Sequence, residues 1–422
     1  MSRLKTLAFL AGQSAWNRRG TLGLILFSIV LSTVLLVGLE RLRTQIRESF
    51  TQSVYGVDLL VGARGSHAEL VLYAIFHLGG ASNNLGFDNV QKVAKLPEVA
   101  WVIPLSMGDF HRGFPVVATD ENYLAHYRYR RNRSLSVASG RPENGLFETV
   151  LGAEVALRLN YQLGQKIVLS HGGGDRPRTH DDKPFTVVGI LAPTGSPVDR
   201  SLYISLESME AIHVDWRGGA PLPGFRVKAE DVRKFNLTPK SVTALLVGLK
   251  NRRYIFQAQE KIHAFSGEAL SAVLPGVAMD QIFQLLGNGE RILFLVSILV
   301  TITGLLGLAA TMLAGLSERR RELAILRSLG ASPLDILLLI ALEGFWLTLT
   351  GLIIGLAILA GVLAFLGPYL LVHFGALLEL SPPTAREWWI LGGILAAGVI
   401  ASLGPAIRAY FFSLADGLNR NV

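Results

Sequence analysis

Few residues of this chain are typed and spaced for covalent or metal chemistry. Ala63-Arg64-Gly65-Ser66-His67 sets glycine beside serine. A phosphate-binding P-loop, however, needs a Lys followed by Ser or Thr, whose amine and hydroxyl reach the phosphates and Mg²⁺. Nor is the order the Gly-x-Ser-x-Gly that lifts a nucleophilic serine out of a strand-to-helix turn. The stretch reads as a turn leading into a helix that begins near Ala68. A second group runs from His171 across Gly172-Gly173-Gly174-Asp175 to His180-Asp181-Asp182. Its spacing fits no zinc or calcium ligand pattern, so it reads as a hairpin loop, with no metal assigned. No catalytic residue is assigned either: no paired carboxylates or Ser/His/Asp set stands out. Cysteine is absent, which removes disulfides, thiolate nucleophiles and zinc-thiolate sites.

Arg128, Arg130, Arg131 and Arg133 are interleaved with Tyr127 and Tyr129. Such a pattern can stack on and neutralise single-stranded nucleic acid. The same arginines can also form a solvated face or touch anionic lipid headgroups. The net charge of +8 gathers beside apolar runs, where orientation in a membrane explains it. Membrane lipid is therefore an expected partner and nucleic acid is not.

The densest charge is Ser317-Glu318-Arg319-Arg320-Arg321-Glu322-Leu323-Ala324-Ile325-Leu326-Arg327-Ser328-Leu329-Gly330-Ala331-Ser332. It is pinned between the apolar runs Ile292–Leu316 and Ile336–Leu366, each longer than the ~20 residues a helix needs to cross a bilayer. A short arginine-rich loop between two spans marks the cytoplasmic side. Leu323, Leu326 and Leu329 recur every third residue with Ile325 beside them, leaving Arg320, Glu322 and Arg327 for other faces. Glu318 with Glu322, and Arg320 and Arg321 beside them, offer charged pairing at helical spacing. Gly330 predicts a helix stop, and Ser332-Pro333 a new N-cap and first helical residue. The product is a short amphipathic helix that either caps the loop or offers a cytoplasmic partner a handle.

From Glu318 to Ser332 this segment resembles the coupling helix of FtsX-like and MacB-like ABC transporter permeases. Gly140–Ile204 resembles the β-rich part of the same family's extracytoplasmic domain, and Pro405-Ala406-Ile407-Arg408-Ala409 to Leu418 its terminal signature. Tyr55–Asn84 and Asp120–Ser139 match no common pattern. The resemblance implies that Glu318, Arg319, Arg320, Arg321, Glu322, Leu326, Arg327 and Gly330 dock a separate cytoplasmic ABC ATPase subunit. It implies a second permease chain, as a homodimer or with a sister permease, and a periplasmic adaptor or lipoprotein as a further candidate partner. No cofactor belongs to this chain; ATP and Mg²⁺ belong to the ATPase. The implied function is a non-catalytic permease that transmits ATP hydrolysis to an extracytoplasmic domain handling a lipid, lipoprotein, peptide or drug-like substrate. The alternative is an FtsX-type scaffold that activates a cell-wall hydrolase and transports nothing. A membrane-anchored enzyme is disfavoured by the missing catalytic set.

The elements that must position these residues form an α-helical membrane protein with four transmembrane helices and a large extracytoplasmic α+β domain. The resemblance makes that domain an α/β subdomain with an inserted β-rich subdomain. The expected order is an interfacial helix at 1–20, a first transmembrane helix at 21–39 and the extracytoplasmic domain at 40–290, its insertion at about 105–240. A second transmembrane helix at 291–316, the coupling helix at 317–332 and a third transmembrane helix at 333–366 follow. An outer loop at 367–387, a fourth transmembrane helix at 388–408 and a tail at 409–422 complete the chain. Both termini then face the cytoplasm of a bacterial inner membrane. Glu343 is an intramembrane charge, costly by a few kcal/mol unless it snorkels or finds a partner. Gly351 and Gly355, and on another span Gly304 and Gly307, permit close helix packing. The spans read as packed helices that carry motion, not as the walls of a polar channel.

Overall fold

The structure, a computed structural model, describes residues 19–52, 55–80, 83–129, 132–142, 145–172, 178–217, 220–318, 320–374 and 380–415. They fall into two compact units, one drawn from 46–286 and 369–377, the other from 1–45, 287–368 and 378–422. The helices, in chain order, are α1 (Arg19–Gln52), α2 (His67–Phe76), α3 (Phe87–Ala94), α4 (Asn122–His126), α5 (Ala153–Leu159), α6 (Leu206–His213) and α7 (Ile255–His263). Then come α8 (Pro275–Glu318), α9 (Arg320–Ser328), α10 (Pro333–Phe374) and α11 (Ala385–Ala415).

The first unit is built on one 12-stranded sheet. Its strands are β1 (Leu59–Ala63), β2 (Val99–His111), β3 (Phe114–Thr119), β4 (Val137–Gly140), β5 (Glu148–Leu151) and β6 (Lys166–Ile167). They continue with β7 (Ser170–His171), β8 (Arg178–Thr179), β9 (Phe185–Leu191), β10 (Leu202–Ser205), β11 (Ala244–Leu249) and β12 (Leu270–Val273). The order is β12-β1-β11-β2-β3-β10-β5-β9-β4, with β7 pairing β2 and β8, and β6 pairing β9. Among the described residues only β3 with β10 and β5 with β9 run parallel.

Successive residues of a strand point to opposite faces, and here both faces are covered. Leu59, Val61, Leu245 and Val247 enter a core shared with Val93 of α3, Val155 of α5, Ile212 of α6 and Ile262 of α7. The alternate residues Leu60, Ala244 and Leu246 enter a second core with Val71 of α2, Tyr123 of α4 and Met279 of α8. Burial on both sides is why these strands read as nearly continuous apolar runs. The long strand β2 serves both halves of the sheet, pairing with β11 over residues 99–105 and with β3 from Ser106 onward.

The strand β2 runs on past Pro104 to His111. Between α7 and α8 the chain returns to the sheet as β12. Gly267, at φ +109, turns the chain ahead of that strand, and Pro275 begins α8 where proline is tolerated. Four buried residues are too few for their periodicity to show.

Among the described residues the other unit holds four stretches long and apolar enough to cross a membrane: Gly23–Gln45, Gly287–Leu316, Pro333–Gly367 and Ala385–Leu414. The interfacial helix expected at 1–20 lies, except for its last two residues, outside the described residues, as does the end of the tail.

Candidate functional site

In the chain α9 stands between α8 and α10. Arg319 lies outside the described residues; Glu318 closes α8, and Arg320 and Arg321 open α9. The end of α9 is sealed by backbone geometry. The Ala331 N–H donates to the Leu326 carbonyl and the Gly330 N–H to the Arg327 carbonyl, both at 3.0 Å, with Gly330 at φ +92. This is the Schellman closure, which favours a residue without Cβ at that position. Arg327 adds a hydrogen bond from Nη1 to the Ala331 carbonyl at 3.4 Å. Ser332 then caps α10: its Oγ accepts from the Asp335 N–H at 3.2 Å, while Asp335 Oδ2 accepts from the Ser332 N–H and Oγ at 2.8 Å each. That reciprocal box, with Pro333 in the first helical position, fixes the turn between the two helices.

The three leucines do not share a face. An α-helix advances about 100° per residue, so a step of three falls about 60° short of a full circle and Leu329 ends about 120° from Leu323. Leu323 packs against the cluster of Leu316, Ile336, Ile340, Ala406 and Ala409, and Leu326 is half-buried. Ile325 and Leu329 are 53% and 78% exposed. Together with exposed Glu322 they form a strip at i, i+3 and i+7 on the outer side of α9.

In the membrane helices Glu343 is buried. It adjoins Gly344, where an added Cβ would lie 2.3 Å from Ser402 Cβ of α11. A Cβ at Gly351 would lie 2.5 Å from Ile29 Cγ2, and one at Gly355 would lie 2.7 Å from Thr33 Cβ, both on α1. Gly304 approaches Ser28 of α1, whereas Gly307, expected to pack beside it, has nothing within 4 Å of an added Cβ. At the other end of these helices charges converge that no local spacing connects. Glu40 meets Arg386 at 3.2 Å, Arg43 meets Glu290 at 2.8 Å, and Arg41 meets Glu387.

In the sheet unit, Ser66 caps α2, its Oγ accepting from the Glu69 N–H. Tyr127 and Tyr129 are buried in the second core, which removes them as stacking platforms; Arg130 and Arg131 lie outside the described residues. His171 and His180 flank a hairpin, as read from sequence. Their side chains also meet Asp109 and His213, residues that no local spacing connects to them.

Residues 294–414 match the family model described as FtsX-like permease C-terminal, and residues 21–264 that of the MacB-like periplasmic core domain. The lipoprotein-releasing system transmembrane protein LolC of Neisseria meningitidis is 25% identical over 242 residues, 54% of this chain and 52% of LolC. The pyoverdine export ATP-binding/permease protein PvdT of Pseudomonas fluorescens is 25% identical over 324 residues, 71% of this chain and 44% of PvdT. The chain thus spans about half the length of either relative. The periplasmic region of MacB from Actinobacillus actinomycetemcomitans is similar with a TM-score of 0.34 and 10% identity, over 56% of this chain and 95% of that region. With the MacB-like core model covering more than half of its residues and the FtsX-like model most of the remainder, this chain belongs to the MacB-like and FtsX-like family of ABC transporter permeases.

Proposed function

We propose that this chain is a non-catalytic inner-membrane permease subunit that receives motion from a separate ATPase docked on α9 and passes it to the sheet unit on the outer side. The observation that supports this most is the outer strip of α9. Two large apolar side chains and a carboxylate point away from the bundle on a helix whose end and exit turn are both fixed. The 422 residues contain no Walker A sequence, so nucleotide and Mg²⁺ chemistry falls to the partner. α8 is one continuous helix from Pro275 to Glu318, with Ala278 and Met279 in the sheet unit's core. In this reading α8 is the element along which a displacement of the loop at α9 travels. Glu343 is the clear internal charge of apolar spans that pack through glycines, which supports transmission over a hydrophilic channel.

In this reading the arginines of the α8–α10 loop hold both termini in the cytoplasm, and a second permease chain completes the complex. The substrate is a lipid, lipoprotein, peptide or drug-like molecule handled at the outer surface. LolC belongs to a lipoprotein-releasing system and PvdT to pyoverdine export, which supports release or export over hydrolase regulation. The test is purification of the tagged full chain with its ABC ATPase, identified by mass spectrometry, and reconstitution in nanodiscs. Reversing Arg320, Arg321 and Glu322 together should abolish co-purification and coupled ATP hydrolysis while membrane-folded protein persists. Unchanged coupled hydrolysis in that variant overturns the docking role.

A further inference from the structure

The strand β2 carries one residue more than β3 opposite it: Met107 pairs with Val117 and Phe110 with Pro115. A bulge of this kind re-aims a side chain. It falls at Gly108-Asp109, and Asp109 pairs instead with His171 of β7. Directly opposed residues share a face of the sheet. His171 is also opposed to Arg178 of β8, and His180, two residues further, returns to that face. The last residue of α6, His213, closes the group.

Four ligand atoms, one from each side chain, lie within 4.8 Å of one another. His171 Nδ1 is 2.9 Å and His180 Nε2 is 3.7 Å from Asp109 Oδ1. His213 Nε2 is 3.6 Å from Asp109 Oδ2 and 3.2 Å from His171 Nδ1. A tetrahedral ion with bonds of ~2.0–2.1 Å holds its ligand atoms ~3.3–3.4 Å apart, close to these separations.

Hydrogen bonding within the group leaves it incomplete. His180 is fully buried and neither of its ring nitrogens has a partner, and Asp109 Oδ2 is buried without one. Such an atom loses its hydration without a hydrogen bond in return, at a greater cost for a charged group. Other buried histidines of this unit are satisfied. His111 meets the Val168 carbonyl at 2.7 Å and the Tyr161 hydroxyl at 2.9 Å, and His77 meets Ser201 Oγ at 2.7 Å. His213 donates from Nδ1 to the Met209 carbonyl at 2.9 Å, which leaves the lone pair of the neutral ring on Nε2, facing the group. Trp216 covers the cluster, its ring centroid 4.3 Å from that of His180 and 5.4 Å from that of His171. Buried Lys183 bonds Asp215 at 2.8 Å and Asp182 at 3.1 Å, tying the turn after His180 to the chain after α6.

We propose that Asp109, His171, His180 and His213 bind one divalent transition-metal ion of the zinc class, pinning the β7–β8 hairpin and α6 to β2. Three imidazoles and a carboxylate form a borderline nitrogen–oxygen set suited to Zn²⁺, with Cu²⁺ and Ni²⁺ as competitors. Four protein ligands close a tetrahedron and leave no open position, the pattern of structural rather than catalytic zinc.

The test uses the full chain in detergent, stripped with a chelator and titrated with Zn²⁺ or Co²⁺. One ion per chain by mass spectrometry, a tetrahedral Co²⁺ absorption spectrum and a thermal midpoint raised by several degrees are expected. His180→Ala and His213→Ala should each weaken Zn²⁺ binding more than about a hundredfold, beyond the loss of an outer hydrogen-bonding partner. His213→Asn keeps a folded comparison where alanine disrupts packing, and exposed His67→Ala should change nothing. A wild-type chain that binds neither ion more tightly than the His180→Ala/His213→Ala double variant, or whose midpoint neither ion moves, overturns the proposal. Both readouts are independent of transport.

Discussion

Arg41, at the end of the apolar stretch of α1, and Glu387, in the first turn of α11, form two parallel hydrogen bonds. Nε reaches Oε1 at 3.0 Å and Nη2 reaches Oε2 at 2.9 Å, with side chains only 9% and 1% exposed. The planar fork of guanidinium against carboxylate is the arrangement that best offsets the desolvation of both charges. Glu387 also completes a capping box: Oε2 accepts from the Thr384 N–H, and Thr384 Oγ1 accepts from the Glu387 N–H. One carboxylate thus starts α11 and ties it to α1.

Removing one partner strands the other. Arg41→Ala should cost about 3–5 kcal/mol, because Glu387 is left buried without its cation. Arg41→Met with Glu387→Met removes both desolvation costs and should recover most of that loss. A double-mutant cycle on thermal midpoint in detergent checks this. Additive losses would mean that the pair contributes nothing beyond its separate side chains.

The glycines of the spans predict opposite signs for one substitution. At Gly355 an added Cβ meets Thr33 Cβ at 2.7 Å and the Val30 carbonyl at 3.2 Å, neither a flexible tip. Overpacking of this kind costs about 1–3 kcal/mol, against a helix-propensity gain of about 1 kcal/mol measured in water. Gly355→Ala should therefore lower the thermal midpoint. Gly307→Ala meets nothing and should leave it unchanged or raise it. Equal shifts at the two positions would remove the packing argument.

How much was legible follows from where each signal is written. The ends of α9 and α10 are local: Gly330, Ser332 and Pro333 act on their own neighbours, so spacing found them. So did the Ser66 turn and the apolar runs. The facing of Leu329 was missed because a three-residue repeat drifts on a helix. Arg41 and Glu387 lie 346 residues apart, and Asp109 reaches His171 only through a bulge and a strand register. Neither pairing exists until the chain has folded. His171 and His180 were visible as ligand types, but their partners Asp109 and His213 were not, so spacing alone gave a loop.

Asp120 predicts a pH dependence. It follows β3 and lines a cavity of ≈ 900 Å³ with Tyr123, Leu135, Val150, Leu191 and Tyr203. Burial pushes its carboxyl from the ordinary 3.8 up to about 6, against the opposing hydrogen bonds from Asn122. A raised folded-state pKa means that the native form binds the proton more tightly than the unfolded chain. Its contribution is fully present below about pH 3.8, shrinks as pH rises, and is lost above about 6. Asp120→Asn should therefore stabilise the protein more at pH 7 than at pH 4, read as the difference in thermal midpoint between variant and wild type. A difference that does not change with pH would show that Asp120 titrates normally.

The two sides of α9 allow the proposed docking role to be tested apart from folding. Leu323 enters the cluster beneath α9, so Leu323→Ser removes apolar burial and adds a hydroxyl there. It should lower the thermal midpoint, by an amount of order 1–3 kcal/mol in stability. Ile325 and Leu329 are mostly exposed, and polar substitutions at such positions usually change stability by less than about 0.5 kcal/mol. If the outer strip is the ATPase's docking surface, Ile325→Ser with Leu329→Ser should leave the midpoint of the isolated permease in place. The same variant should weaken ATPase binding by at least about tenfold, since buried anchors of this size each contribute over 1 kcal/mol at an interface. Binding measured between the purified permease in nanodiscs and its ATPase decides the matter. Loss of binding only in Leu323→Ser, with Ile325→Ser/Leu329→Ser unaffected, would assign α9 a structural role under the membrane and remove the docking strip.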